Sequence, residues 1–214
     1  MPTTITAIIP AYNEEKTIAN VLKPLSSMSI IDEIIVISDG SHDNTAKIAR
    51  AFNARVIELE KNHGKTNAVI TGVKNTDSNI ILMLDADLIG LRHEHIMNLL
   101  LPVINKEADM TIGIFKHGRG ATDFAQKIAP FLSGQRVITR SVFDKLNKYN
   151  ARDYGIEVAL THMAEKEKIR VKEIILPDLT HMMKEEKRGV VLGFLSRLKM
   201  YWDILFCAIK CKFN

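Results

Sequence analysis

The chain has 214 residues, 46% of them hydrophobic and 6% aromatic, with 29 Lys and Arg against 25 Asp and Glu, for a net charge of +4. This length suits one large domain or one domain with an appendage, and a core rich in Ile, Val and Leu but poor in aromatics suits an α/β sheet better than a sandwich. The basic balance favours anionic partners such as nucleotide phosphates or phospholipid, whereas the lack of a dense Lys/Arg tract with interleaved aromatics disfavours nucleic acid.

In chain order, Ile5 to Pro10 predicts a strand, and Ala11-Tyr12-Asn13-Glu14-Glu15 a turn. Ile18, Val21, Leu22 and Leu25 then give helical spacing over Glu14 to Leu25. Glu33 to Ile37 predicts a second strand running into a polar turn, Ser38-Asp39-Gly40-Ser41-His42-Asp43-Asn44-Thr45, with a second helix from around Asp43. Arg55 to Leu59 predicts a third strand, and Gly64-Lys65-Thr66 opens a third helix ending near Val73. Ile80 to Leu84 is an unbroken apolar run followed by Asp85-Ala86-Asp87. A run so short and aliphatic predicts a strand covered on both faces. Strands alternating with helices through short turns predict a doubly wound, mostly parallel sheet flanked by helices, with the polar turns gathered on one edge.

The second half is less regular. It predicts a helix over Glu94 to Val103, a strand over Asp109 to Ile114 and a basic glycine-rich loop at His117-Gly118-Arg119-Gly120. A short strand over Ser133 to Arg140, a helix from Tyr154 to Ala164 and a strand from Ile169 to Leu176 follow. The charged loop Thr180 to Arg188 closes the domain, taken as residues 1–188, and residues 189–214 form an amphipathic C-terminal helix. Ser196, Lys199, Asp203 and Lys210 fall in one narrow sector of that helix, opposite Phe194, Leu198, Tyr201, Trp202, Leu205, Ala208 and Ile209. Such an apolar face calls for the domain, a second subunit or a membrane surface to cover it.

Ligands of open α/β sheets sit outside the carboxyl ends of the strands, where Asp85 and Asp87 fall. Two hard oxygen donors there suit Mg²⁺ or Mn²⁺ shared with substrate phosphates. The bland alternative makes Asp85 a helix cap and leaves Asp87 solvated. In the first turn, Pro10 and Ala11 offer backbone groups for a flat base and Glu14 an acceptor for a ribose hydroxyl, unless Asn13 and Glu14 merely cap the helix. Asp39 can accept an imino N–H from uracil or guanine, or can simply build the Asp39-Gly40 turn. Lys65 at a helix start can meet a diphosphate. Neither a P-loop nor a G-x-G-x-x-G pattern is present.

Ile9-Pro10-Ala11-Tyr12-Asn13-Glu14-Glu15, Ser38-Asp39-Gly40-Ser41, Gly64-Lys65 and Asp85-Ala86-Asp87, in that order, resemble the nucleotide-sugar half of family-2 glycosyltransferases of the GT-A fold. The resemblance covers roughly the first 90 residues closely. It implies that Pro10, Ala11, Tyr12, Glu14, Asp39, Lys65, Asp85 and Ala86 bind the nucleoside-diphosphate sugar and that Asp87 binds the divalent metal. The family often has Asp-Asp-Gly-Ser where this chain has Ser38-Asp39-Gly40-Ser41. Ser133-Gly134-Gln135-Arg136 with Arg140 is similar to the segment facing sugar and acceptor in polyprenyl-phosphate sugar synthases, which marks Gly134, Arg136 and Arg140. Tyr154-Gly155-Ile156-Glu157-Val158 resembles a stretch of retaining glucosyl-phosphoglycerate synthases, which implies Glu157 at the donor sugar and His181 as a metal ligand.

The implied chemistry is metal-dependent glycosyl transfer from a donor taken to be UDP-linked. An alcohol acceptor attacking with inversion needs a carboxylate base, for which Asp153 is the candidate. A phosphate acceptor is already ionised and needs none, and Arg136 and Arg140 would then clamp it. A polyprenyl-phosphate sugar synthase with a lipid acceptor is the second reading, and a non-catalytic nucleotide-sugar binder the third. A sugar-phosphate nucleotidyltransferase would want a glycine-rich turn where Pro10-Ala11-Tyr12-Asn13 stands. Cys207 and Cys211 share a helix face and read as free thiols. With no leader pattern and no run of 18 apolar residues, the expected location is cytoplasmic, peripheral at the membrane face if the C-terminal helix rests on lipid.

Overall fold

The computed structural model describes residues 3–116, 133–146, 149 and 155–182. The chain divides into two compact units, Met1–Thr180 and His181–Asn214. Only His181 and Met182 of the second are among the described residues. The 117–120 loop, Asp153, both cysteines, the C-terminal helix and the expected 188/189 division lie outside them.

Strands β1 (Ile5–Ala11), β2 (Glu33–Asp39), β3 (Arg55–Leu59) and β4 (Ile80–Met83) pair in parallel. Alternate residues of one strand serve opposite faces. Ile80 and Leu82 accordingly join the core on one face of the sheet, and Ile81 and Met83 the core on the other. Helix α1 (Ile18–Ser26) turns Ile18, Val21, Leu22 and Leu25 into the first core. Helix α3 (Lys65–Lys74) turns Ala68, Val69 and Val73 into the second. Gly72 lets α3 approach closely, since a Cβ there would stand 2.6 Å and 2.7 Å from methyl groups of Ile37 and Ile8. Helix α2 (Thr45–Ala51) completes the β2–β3 crossover.

The second half extends the sheet. After β5 (Leu88–Ile89) and α4 (His93–Ile104) come β6 (Met110–Lys116), β7 (Arg136–Thr139), α5 (Arg140–Lys145), α6 (Ile156–Lys166), β8 (Val171–Pro177) and β9 (Thr180–His181). The order of the seven-stranded sheet among the described residues is β3-β2-β1-β4-β7-β6-β8. β7 runs antiparallel between β4 and β6, and β8 is parallel to β6. The expected mostly parallel α/β sheet is therefore present, with one reversed strand.

Two local expectations change. The first helix starts at Ile18, not Glu14, because the preceding residues serve another loop. Asn13 takes a left-handed φ of 55°, and its side-chain oxygen accepts from the backbone N–H of His42 at 2.9 Å. The short strand expected to run to Arg140 ends at Thr139, whose hydroxyl accepts from the backbone of Val142 and caps α5.

Arg140 also stands elsewhere than expected. Its guanidinium donates to the carbonyl oxygens of Val73 (3.1 Å), Thr76 and Ser78 (3.2 Å), closing the end of α3. The pairing of Ile80 with Thr139 puts Arg140 where β4 begins, at the opposite edge of the sheet from Asp85. It is a structural cap and stands away from the expected acceptor. Arg140→Leu is expected to cost about 2–3 kcal/mol of unfolding free energy, the scale of charged hydrogen bonds lost to carbonyls left behind. Urea denaturation checks this, and an unchanged midpoint would contradict it.

Candidate active site

The strand registers bring the carboxyl ends of β1, β2 and β4 together. Ala11 lies beside Ser38, and the N–H of Leu84 donates to the carbonyl of Ile8 at 3.2 Å. Asp39, at the end of β2, is 3% exposed. Its carboxylate accepts the backbone N–H groups of His63 (2.9 Å) and Gly64 (2.8 Å), pinning the start of α3 to the end of β2. Gly40 makes this contact feasible. Its φ is 70°, and a Cβ would stand 2.5 Å from the backbone of Lys61 and Asn62. Asp39 thus fixes where Lys65, the first residue of α3, begins.

The Lys65 ammonium lies between two carboxylates, ion-paired with Asp85 at the end of β4 and with Glu157 in the first turn of α6 (2.5 Å). Asp85 Oδ2 also accepts from the Gln135 side-chain amide at 2.9 Å. Gly134 leaves room for the pair, because a Cβ there would lie 2.5 Å from Lys65 Nζ and 2.6 Å and 2.7 Å from the Asp85 oxygens. Burial opposes the lysine's charge, but Asp85 and then Glu157 outweigh it and hold the ammonium well above the usual lysine range. The Lys65 side chain keeps 37% of its surface, against 17% for Asp85 and 15% for Glu157. The carboxylates are therefore the deeper partners, and solvent reaches the assembly from the lysine side, which weakens the attraction.

Asp87 follows across the buried Ala86, and a carboxylate oxygen of Asp87 lies within 4.8 Å of one of Asp85. That spacing and two hard oxygen donors fit a divalent cation such as Mg²⁺ or Mn²⁺. The helix-cap alternative for Asp85 is not realised, since α4 starts after Arg92. The chain leaving β8 reaches the loop behind Asp87. Arg92 donates to the Pro177 carbonyl at 3.4 Å and pairs with Asp178 at 3.6 Å, and a Cβ on Gly90 would stand 2.7 Å from the Asp178 oxygen. His181, half-buried at the end of β9, opens the second unit.

The first-strand turn forms the adjacent rim. The N–H of Glu14 donates to Thr45 Oγ1 (2.8 Å) and its Oε2 accepts from Thr17 Oγ1 (2.7 Å). The N–H of Glu15 reaches Asp43 at 3.1 Å. Burial works against the Asp43 charge, but hydrogen bonds from the Thr45 hydroxyl and from backbone N–H groups more than offset it and lower its pKa. Ala11 is buried, Pro10 half-buried, and Tyr12 is exposed beside them.

Arg136 was expected at the acceptor, and its placement differs. It is entirely buried, donating from Nε to the Ser133 carbonyl (2.9 Å) and from Nη2 to Thr161 Oγ1 (3.0 Å), with Nη1 beside Met110 Sδ (3.8 Å). Burial pushes its pKa down to about 10, with Glu157 opposing the shift. Thr161 in turn donates to the Glu157 carbonyl at 2.9 Å, so Arg136 supports the Glu157 turn from behind.

Residues 6–168 match the model of glycosyl transferase family 2. The chain belongs to glycosyl transferase family 2. Among curated relatives, the 4,4'-diaponeurosporenoate glycosyltransferase of Staphylococcus aureus is 37% identical over 101 residues, 45% of this chain and 27% of that protein. The match therefore spans only about a quarter of that relative's length. Among solved structures, glucosyl-3-phosphoglycerate synthase from Mycobacterium tuberculosis in complex with Mn²⁺ and UDP-glucose superposes with a TM-score of 0.71 at 25% identity, covering 91% of this chain and 79% of that one. The same enzyme with Mn²⁺, UDP-glucose and phosphoglyceric acid gives a TM-score of 0.69 at 25% identity, with the same two coverages. The family-2 sheet here is GT-A-like.

The raised pKa of Lys65 fixes the sign of a pH test. Its stabilisation is fully present below the ordinary lysine pKa and is lost only as pH rises through the raised one, so it adds no slope between about pH 5 and 8. In Lys65→Met the two carboxylates lose their shared cation and are left close together as like charges. Stability should then fall by about 1–2 kcal/mol as pH climbs through that window. Urea unfolding of both proteins at the two ends of the range checks this, and parallel pH profiles would contradict it.

Proposed function

We propose that this family-2 protein is a metal-dependent hexosyltransferase that takes its sugar from a UDP-linked donor and passes it to a phosphate-bearing acceptor. The observation that carries this reading is the clustering of Lys65, Asp85, Glu157 and the adjacent Asp87 at the carboxyl edge of the sheet. The likeness to an enzyme held in complex with Mn²⁺, UDP-glucose and phosphoglyceric acid supports the donor, the cation and the acceptor class.

Pro10, Ala11, Tyr12 and Glu14 are assigned to the nucleoside. Asp39 joins them, because a carboxylate has about four lone-pair sites and two backbone N–H groups leave capacity for the imino N–H of a base. Asp87 is assigned to the cation, and Ala86 and Asp85 to the donor beside it. When bound, the cation would supply positive charge to the departing nucleoside diphosphate. Lys65 adds a second positive group on the same side, an electrostatic contribution to leaving-group departure. Glu157 is assigned to the donor sugar, held by its ion pair and by the turn that Arg136 supports from behind. Gly134 keeps this corner open. The likeness to a diaponeurosporenoate glycosyltransferase favours a second reading, with a lipid-type acceptor at the same donor site.

A thermal-shift series with UDP, GDP and CDP, each with and without Mn²⁺, tests the donor assignment. UDP with Mn²⁺ is expected to raise the midpoint by several degrees, since ligand at a hundred times Kd adds about 2.7 kcal/mol. Asp87→Ala should abolish the metal-dependent part. Equal shifts for all three nucleotides, or a UDP shift indifferent to metal, would contradict the proposal.

A further inference from the structure

One polar side chain in the centre of the site has no part in the chemistry above. Gln135 is completely buried. Its Nε2 lies 2.9 Å from Asp85 Oδ2, and its Oε1 lies 3.0 Å from Ser133 Oγ, which also sits on the Gly113 carbonyl. The amide orientation follows from the chemistry: reversed, it would press a carbonyl oxygen against a carboxylate.

Asp85 therefore divides its two oxygens between unlike neighbours. Oδ1 meets the ammonium of Lys65, which ends a flexible four-carbon stem with 37% of its side-chain surface exposed. Oδ2 meets Gln135, whose backbone is locked into the sheet. Its carbonyl accepts from Gly113 N at 2.8 Å, and the next residue, Arg136, pairs with Met83 of β4. Of Gln135 and Lys65, Gln135 is the rigid one. It is also neutral, so it orients the carboxylate without cancelling its charge, as a Lys or Arg would, and without repelling it, as a Glu would.

We propose that Gln135 is a positioning residue of the donor site: its amide fixes the plane of the Asp85 carboxylate, so that Lys65 can leave Asp85 for a diphosphate while Asp85 stays aimed at the cation side of the pocket. Without the amide, the carboxylate loses a fixed partner on Oδ2 and is held less firmly when the lysine moves. This inference rests on the donor reading given under Proposed function.

Calorimetric titration of the full chain with UDP, in the presence and absence of Mn²⁺, tests it. Gln135→Met keeps the volume and removes the donor. The gain in UDP affinity conferred by Mn²⁺ is expected to fall about tenfold, the scale of one hydrogen bond to a charged group. Gln135→Glu, of equal size but with a like charge against Asp85, should lose more. A merely structural role would lower the melting midpoint and leave the Mn²⁺ gain intact. If Gln135→Met does not fold, Ser133→Ala loosens the far end of the amide and should lower the same gain by about threefold. Wild type that binds UDP with Mn²⁺ while the variants retain the full gain would overturn the Gln135 inference alone. Wild type that binds no UDP with Mn²⁺ would overturn the donor reading and this inference with it.

Discussion

The ammonium of Lys65, shared by Asp85 and Glu157, is the interaction on which the arrangement of this molecule depends. It joins the start of α3, the end of β4 and the first turn of α6, elements far apart in sequence. A cation at a helix N-terminus opposes the helix dipole, so Lys65 is poorly placed for α3 in isolation. Two carboxylates reverse that balance, and Glu157 is itself favoured at the N-terminal end of its own helix. A local disadvantage is thus resolved by tertiary contact at the carboxyl edge of the sheet.

The surrounding structure holds that contact in place. Asp39 spends its carboxylate on two backbone N–H groups, setting the start of α3 against the end of β2. Gly40 and Gly134 supply room for a backbone approach and for the lysine head. Arg136, under the floor, ties the Ser133 carbonyl to Thr161 and through it to the Glu157 turn. A closed circuit results, running from Ser133 through Gln135, Asp85, Lys65, Glu157, Thr161 and Arg136 back to Ser133. Buried networks of this type are sensitive to the loss of any member, because each remaining polar group is left without its partner in a medium of low dielectric.

Much of the first half was legible in the sequence because its signals are local. Apolar runs ending in polar turns marked β1 to β4, and the parallel registers placed those turns on one edge, as the alternation of strands and helices implies. Lys65, Asp85 and Glu157 were each singled out, but their mutual pairing was not, since nothing local to any of them points at the others. The start of α1 was misplaced because Asn13 and Glu14 bond to the β2–α2 loop, a partner some 30 residues away. The resemblance to polyprenyl-phosphate sugar synthases puts Arg136 and Arg140 at the acceptor. The antiparallel direction of β7 instead sends one to the far edge and buries the other beneath the site. The contact of Gln135 with Asp85 has no local signal either, because it depends on β7 lying beside β4.

The most direct measurement is the anomalous scattering of crystals soaked with Mn²⁺ and UDP. The account predicts a manganese peak beside Asp87, with the diphosphate of UDP between the metal and Lys65 and the base against the Pro10–Glu14 turn. A metal peak remote from Asp87, or a nucleotide bound away from Lys65, would contradict it.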